Sequence, residues 1–173
     1  MQDTINFKTK LKDIRCFVFD IDGVMTDGGL LIQEDGAQLR KTNIRDGFGL
    51  VQALRKGYYV WIISGSSSEG VRKRLGYLGI DQVHMAVENK WIRLESLLLQ
   101  FRVSAKEVLY MGDDLPDYEV MSHCAVKTAP ADAAPEILAI ADYVSMKKGG
   151  EGCVRDVIEQ VLKVKGDWPK TGK

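Results

Sequence analysis

Three short apolar runs in this chain each end on a polar or acidic tip, and that repetition constrains the fold more than any other feature. IRCFVFD covers residues 14–20, YYVWIIS covers 58–64, and EVLYMG covers 107–112 with Asp113 and Asp114 directly behind it. A strand buried on both faces reads as a continuous apolar run, as in a parallel sheet covered by helices. Between the runs lie helical stretches. One spans 47–56, with Asp46 as its N-cap and Gly57 as its stop. A second follows the Gly/Ser turn after Ser64 and runs to about Leu78, and NKWIRLESLLLQF at 89–101 is a strongly amphipathic third. Weaker strands at 82–87, 124–127 and 142–145, and helices at 116–122, 135–140 and 151–165, continue the alternation. Asp35-Gly36 between two apolar runs marks a protruding hairpin over about 24–42. Such strand–helix repeats predict a doubly wound α/β fold with a Rossmann-like, mostly parallel sheet. One domain over 1–173 is expected, ending in a loose tail at about 166–173.

Composition narrows the function classes. Twenty-four basic residues balance 24 acidic ones, so the basic excess of a nucleic-acid or membrane-surface protein is missing and neither partner is expected. No apolar run approaches 18 residues, and MQDTINFKTKLKDIR lacks the apolar stretch of a secretory signal. Cys16, Cys124 and Cys153 are odd in number and lack C-x-x-C spacing, which points to reduced thiols in a cytoplasmic protein, with Cys16 a small core residue. His84 and His123 have no paired ligands and read as structural. Trp61 and Trp91 fall in apolar patterns and read as core. Ser66-Ser67-Ser68 lacks the signature of a phosphate-binding P-loop.

Chemistry is expected beyond the carboxyl ends of the strands. The first run delivers Asp20 and Asp22, the second Ser64 and Gly65, and the third Asp113 and Asp114, with Asp117 close behind; Lys90 opens a helix nearby. Carboxylates that converge this closely repel one another unless a hard divalent cation neutralises them, which implies Mg²⁺. Beside such an ion, Asp20 can attack phosphorus to form an aspartyl-phosphate. Asp22, two residues on, can protonate the leaving oxygen and then activate water. Ser64 and backbone N–H groups can bind phosphoryl oxygens, and Lys90 can offset the charge that spreads over them. Arg45 and Arg74 suit an anionic substrate, since guanidinium grips carboxylate or phosphate with two parallel bonds. A solvated helix face would equally account for Arg74.

D-x-D-G-V-M-T at 20–26, I-S-G at 63–65, the lone Lys90 and G-D-D-x-x-D at 112–117 resemble, in this order, the four motifs of the haloacid dehalogenase superfamily of phosphatases. The resemblance covers nearly the whole chain. It implies Asp20 as nucleophile, Asp22 as acid/base, and Mg²⁺ held by Asp20, the Asp22 backbone carbonyl and Asp113. Asp114 and Asp117 would support those ligands or hold metal-bound water. The 44 positions from Asp20 to Ser64 and the 26 from Ser64 to Lys90 leave no room for the cap domain common in that superfamily. Either the substrate is a macromolecule or an oligomer supplies the lid.

D-G-V-M-T-D-G at 22–28, N-I-R-D-G at 43–47, V-R-K-R at 71–74 and K-K-G-G-E-G at 147–152 resemble capless members acting on 3-deoxy-D-manno-octulosonate 8-phosphate or on nine-carbon 2-keto sugar acid phosphates. This implies a small sugar-acid phosphate as substrate, in lipopolysaccharide precursor synthesis, and a homotetramer in which the neighbours' hairpin and C-terminal segment complete the pocket. It also implies substrate contacts from Asp22, Asn43, Ile44, Arg45, Asp46, Gly47, Gly65, Arg74 and Lys90. On that picture the segment after Asp142 matters more to activity than to the sheet. Ser66, Val51 and Glu151 depart from the usual pattern and leave eight- and nine-carbon substrates both open. Two readings of other classes stand beside this one. A phosphoacceptor receiver is disfavoured by the D-x-D on the first strand, and a non-catalytic oligomerisation module by retention of every catalytic residue type.

Overall fold

The structure, a computed structural model, describes residues 7–169; the rest of the expected tail, 170–173, lies outside the described residues. Six strands build one parallel sheet: β1 (Cys16–Phe19), β4 (Tyr59–Ile63), β5 (Gln82–His84), β6 (Val108–Met111), β7 (Val126–Ala129) and β8 (Tyr143–Val144). Their spatial order is β5-β4-β1-β6-β7-β8. The central strand β1 pairs in parallel register with β4 on one side and β6 on the other, Cys16 aligning with Tyr59 and with Val108. All four residues of β1 and of β6 are buried, as their unbroken apolar runs require. The hairpin is a separate antiparallel pair, β2 (Leu31–Ile32) and β3 (Gln38–Leu39), with all four residues exposed.

Helices cover both faces. On one side α2 (Ile44–Arg55) and α7 (Cys153–Lys165) pack with Phe17, Phe19, Ile62 and Leu109. On the other, α4 (Lys90–Phe101) and α5 (Tyr118–His123) pack with Val18, Trp61, Ile63 and Tyr110. The remaining helices are the short α1 (Phe7–Lys10), α3 (Glu69–Tyr77) and α6 (Pro135–Ile140). No helix among the described residues is long and apolar enough to cross a membrane.

Three expectations need correction. The helix expected over 47–56, α2, begins at Ile44, because Asn43, not Asp46, is its N-cap: the Asn43 side chain accepts the Arg45 N–H at 2.9 Å. The strand expected over 82–87 ends at His84, and Ala86 beyond it has a φ of 55°, incompatible with extended pairing. Finally, the segment after Asp142 is no detachable arm. α7 buries Val154, Val157, Ile158, Val161 and Leu162 in the core, so the sheet depends on it.

Candidate active site

The turn leaving β1 carries the first two acids. It is wound tightly by the N–H groups of Val24, Met25 and Thr26, which all donate to the Ile21 carbonyl at 3.3, 2.9 and 3.0 Å. Gly23 has a φ of 84°, and a Cβ there would overlap the Asp113 carboxylate, so the turn and the end of β6 approach as only glycine permits. Asp20, 7% exposed, accepts the Ile21 N–H on Oδ1 at 2.7 Å. Its Oδ2 lies 2.8 Å from Lys90 Nζ, and the same ammonium lies 2.7 Å from Asp117 Oδ1. Lys90 is held there by the start of α4, where the Asn89 side chain accepts the Ile92 N–H at 2.8 Å.

Asp117 is buried and spent on support: Oδ1 also accepts the Tyr110 hydroxyl at 2.8 Å, and Oδ2 accepts the Asp113 N–H at 3.2 Å. Gly112 permits this, since a Cβ there would collide with the Asp117 side chain. The Asp113 carboxylate accepts no hydrogen bond among the described residues. Oxygens of Asp20, Asp113 and Asp117 all lie within 4.8 Å of one another.

One ammonium therefore faces three carboxylates. Burial, and then the charges of Asp117 and Asp20, push the Asp113 carboxyl up to about 8. Burial and Asp117 also raise Asp20, although Lys90 opposes them. The two carboxylates raise the ammonium of Lys90 against the opposing effect of burial. This unneutralised cluster of hard oxygen donors fits Mg²⁺, with Asp20 and Asp113 the side chains free enough to ligate it and Asp117 acting behind them. Asp114 is exposed and closes its own turn by accepting the Leu115 N–H.

The other half of the site holds Asp22. Its carboxylate is gripped by Arg40, Nε to Oδ1 at 2.7 Å and Nη2 to Oδ2 at 3.1 Å. Although burial opposes it, the hydrogen bonds from Arg40 and Ser66, with the charges of Arg40 and Lys90, hold this carboxyl below the usual carboxylate range. Sequence reasoning missed Arg40; its only signal was a basic residue at the root of the hairpin. Ser64 is buried, its Oγ 3.1 Å from Ser66 Oγ, and Gly65 beside it is exposed.

Several expected substrate contacts have other duties. Both ends of the Asn43 amide are used, one on the Arg45 N–H and the other donating to the Gly150 carbonyl at 3.1 Å. Asp46 is 2% exposed and accepts the Arg155 N–H at 2.7 Å, serving the first turn of α7, whose own N-cap Gly152 has no side chain to offer. Gly47 is buried against Arg74 and Leu78. All three thus tie parts of the fold together. Ile44 is 80% exposed, and Arg45 lines a groove of about 420 Å³ along α7. Arg74 lines a different groove of about 530 Å³, between the hairpin and the start of α3, and shares it with Arg40, Ser67 and Ser68. His84 and Gln82 face one another at 3.2 Å, and His123 stacks on Trp91 at 3.9 Å, so neither histidine joins the site.

A family model for haloacid dehalogenase-like hydrolases matches residues 82–158. Over 158 residues, 91% of this chain and 84% of the relative, the sequence is 37% identical to the 3-deoxy-D-manno-octulosonate 8-phosphate phosphatase of Salmonella typhi. The chain belongs to the haloacid dehalogenase-like hydrolases. Among solved members of this family, the 3-deoxy-D-manno-octulosonate 8-phosphate phosphatase of Yersinia pestis superposes with a TM-score of 0.92 at 32% identity, over 94% of this chain and 88% of that one. The corresponding enzyme of Moraxella catarrhalis, solved with magnesium ion, phosphate ion and 3-deoxy-D-manno-octulosonate, gives 0.91 at 30% identity over 94% and 93%. In this chain the tips of β1 and β6 bring Asp20, Asp113 and Asp117 together, with Lys90 between Asp20 and Asp117.

Proposed function

We propose that this chain is a Mg²⁺-dependent phosphomonoester hydrolase that removes phosphate from 3-deoxy-D-manno-octulosonate 8-phosphate, in lipopolysaccharide precursor synthesis. The observation that carries it is Lys90 bridging Asp20 and Asp117, with Asp113 in the same cluster and Asp22 two residues from the nucleophile. When bound, Mg²⁺ neutralises the carboxylates and draws charge from the phosphoryl oxygens. Asp20 attacks phosphorus as the bond to the sugar oxygen breaks, giving an aspartyl-phosphate. Asp22 gives its proton to that oxygen, then takes one from the water that releases orthophosphate. Lys90 offsets the charge developing on the transferring group, and the Ser64 hydroxyl and Gly65 N–H are placed to bind its oxygens. Arg74 gives the adjoining groove the charge to receive a sugar acid.

Among the described residues no separate cap domain stands over the site, and the hairpin offers the means to supply a lid. Leu30, Leu31, Ile32 and Leu39 are 43%, 67%, 66% and 46% exposed on it, an apolar surface suited to a homotetramer whose neighbours cover the site. A cytoplasmic setting accords with three buried cysteines that are all free.

The test is phosphate release from eight- and nine-carbon keto-acid phosphates beside hexose phosphates, with Asp20→Asn as control. The eight-carbon substrate is expected to lead, and the Asp20→Asn change to cost on the order of 10⁴ in kcat or more. Preference for hexose phosphates would overturn the substrate. A near-normal Asp20→Asn enzyme would overturn the mechanism.

A further inference from the structure

Thr26 is fully buried in the turn after β1, yet it takes no part in the chemistry so far described. Its Oγ1 accepts two main-chain donors, the Gly23 N–H at 3.3 Å and the Gly28 N–H at 3.2 Å. The first donor belongs to the peptide unit that joins Asp22 to Gly23. That unit is trans, like every other among the described residues. In a planar trans peptide the N–H and the C=O point in opposite directions. Anchoring the Gly23 N–H on Thr26 therefore fixes the direction of the Asp22 carbonyl.

The Asp22 carbonyl accepts no hydrogen bond among the described residues, so its lone pairs are free for a ligand. Gly23, on the same peptide unit, lies against Asp113, because a Cβ there would overlap the Asp113 carboxylate. Asp113 in turn shares a cluster with Asp20, their oxygens within 4.8 Å of one another. A free carbonyl beside two carboxylates offers the hard oxygen donors that Mg²⁺ selects.

We propose that Thr26 is a positioning residue for the metal site: its hydroxyl oxygen holds the Asp22–Gly23 peptide unit so that the Asp22 carbonyl faces the cation bound by Asp20 and Asp113. This rests on the reading of that cluster as a Mg²⁺ site. Groups that orient a ligand from behind set about 10- to 100-fold in metal affinity. Ligation also polarises the peptide unit and makes its N–H a stronger donor, so the bond to Thr26 and the bond to the cation reinforce each other. The Gly28 N–H reaches the same oxygen, which joins the start of the hairpin to the metal site.

A threonine buried for packing alone would make the same contacts, and Mg²⁺ affinity separates the two roles. Calorimetric titration with Mg²⁺ is made on the parent protein, Thr26→Val, Thr26→Ser and Asp113→Asn, with a melting curve in EDTA for each. Valine keeps the shape and loses the acceptor, whereas serine keeps the acceptor and loses the methyl group. Thr26→Val is expected to weaken Mg²⁺ binding about 10-fold and Thr26→Ser less than about threefold. The Mg²⁺ concentration that gives half-maximal phosphate release should rise in Thr26→Val by the same factor. A Thr26→Val protein that melts lower but binds Mg²⁺ as tightly as the parent would overturn the proposal. So would a Thr26→Ser protein that binds as weakly as Thr26→Val. Asp113→Asn tests the site itself: equal Mg²⁺ binding by that variant and the parent removes the metal reading, and not merely the role of Thr26. Should Thr26→Val fail to fold, amide proton spectra of the parent protein decide. Mg²⁺ is expected to move the Gly23 amide proton downfield as its bond to Thr26 strengthens, and a Gly23 amide unmoved at saturating Mg²⁺ is equally fatal.

Discussion

Replacing Lys90 by Met should destabilise the protein by an amount that depends on pH and on Mg²⁺. Lys90 is 5% exposed, and its partners Asp20 and Asp117 are 10% and 1% exposed at 2.8 and 2.7 Å. Removing one member of so buried a set leaves uncompensated charge, at a cost of about 3–5 kcal/mol. Methionine keeps the stem's volume, so little of the loss comes from a cavity. Two routes relieve the charge. Protons can bind the carboxylates, which burial and mutual repulsion already favour, and Mg²⁺ can bind in the ammonium's neighbourhood. The full cost is therefore expected at pH 8 in EDTA, with less at pH 5.5 and less again with Mg²⁺. For a chain of this size the urea dependence is about 2 kcal/mol per M, so a loss of ~3 kcal/mol lowers the unfolding midpoint by about 1.5 M. Urea titrations at the two pH values, each with EDTA and with Mg²⁺, give the four midpoints. A midpoint at pH 8 in EDTA within about 0.3 M of the parent protein would refute the view that Lys90 neutralises the cluster.

Metal-free protein is expected to lose stability as pH rises. The Asp113 carboxyl is raised to about 8 in the fold from an unfolded value near ~4, so its contribution is intact below the unfolded value and fades as pH climbs through 8. Thermal melts in EDTA should fall between pH 6 and 9 while melts in Mg²⁺ hold, with Mg²⁺ affinity rising over the same range as the proton is displaced; a flat EDTA series would contradict this. Gly149→Ala should cost about 1–3 kcal/mol and lower activity, since its Cβ would enter the Gly23 carbonyl and lie 2.8 Å from that of Thr26, both backbone atoms that cannot rotate away. Gly76→Ala, on α3 and with nothing within 4 Å of the added carbon, is the control and should leave kcat unchanged while melting holds or rises slightly.

The sheet was legible in the sequence because burial on two faces leaves a mark that local reading can see. CFVF, YVWII and VLYM are strands in the structure at the places their apolar runs indicate. The acids at their tips were legible for the same reason, since strand order puts the ends of β1 and β6 side by side. Long-range ties were not legible. Asp46 looks like a local cap, yet its partner is the Arg155 N–H, 109 residues away. Asn43 likewise reaches Gly150 across 107 residues. Arg40 escaped notice because the hairpin carries no periodic pattern that would aim its root at Asp22. A motif names the residues that do chemistry, while the residues that hold them in place follow from packing.

Those ties explain why a helix at the end of the chain bears on a site built at its beginning. α7 starts from Gly152 without a side-chain cap, and Asp46 on α2 supplies the missing acceptor. The two helices are thereby locked in register, and the loop that enters α7 lies directly against the turn after β1. Gly150 donates to the Val24 carbonyl at 3.0 Å, the Cys153 thiol contacts the same carbonyl at 3.1 Å, and Gly149 approaches Gly23 more closely than any side chain would allow. That turn sets both Asp20 and Asp22, so a shift of α7 is felt at Asp20 without any contact between them. The K-K-G-G-E-G stretch is on this account a wedge behind the turn that carries Asp20 and Asp22, and Gly149 and Gly150 are required by its close approach to the backbone of Gly23, Thr26 and Asp27.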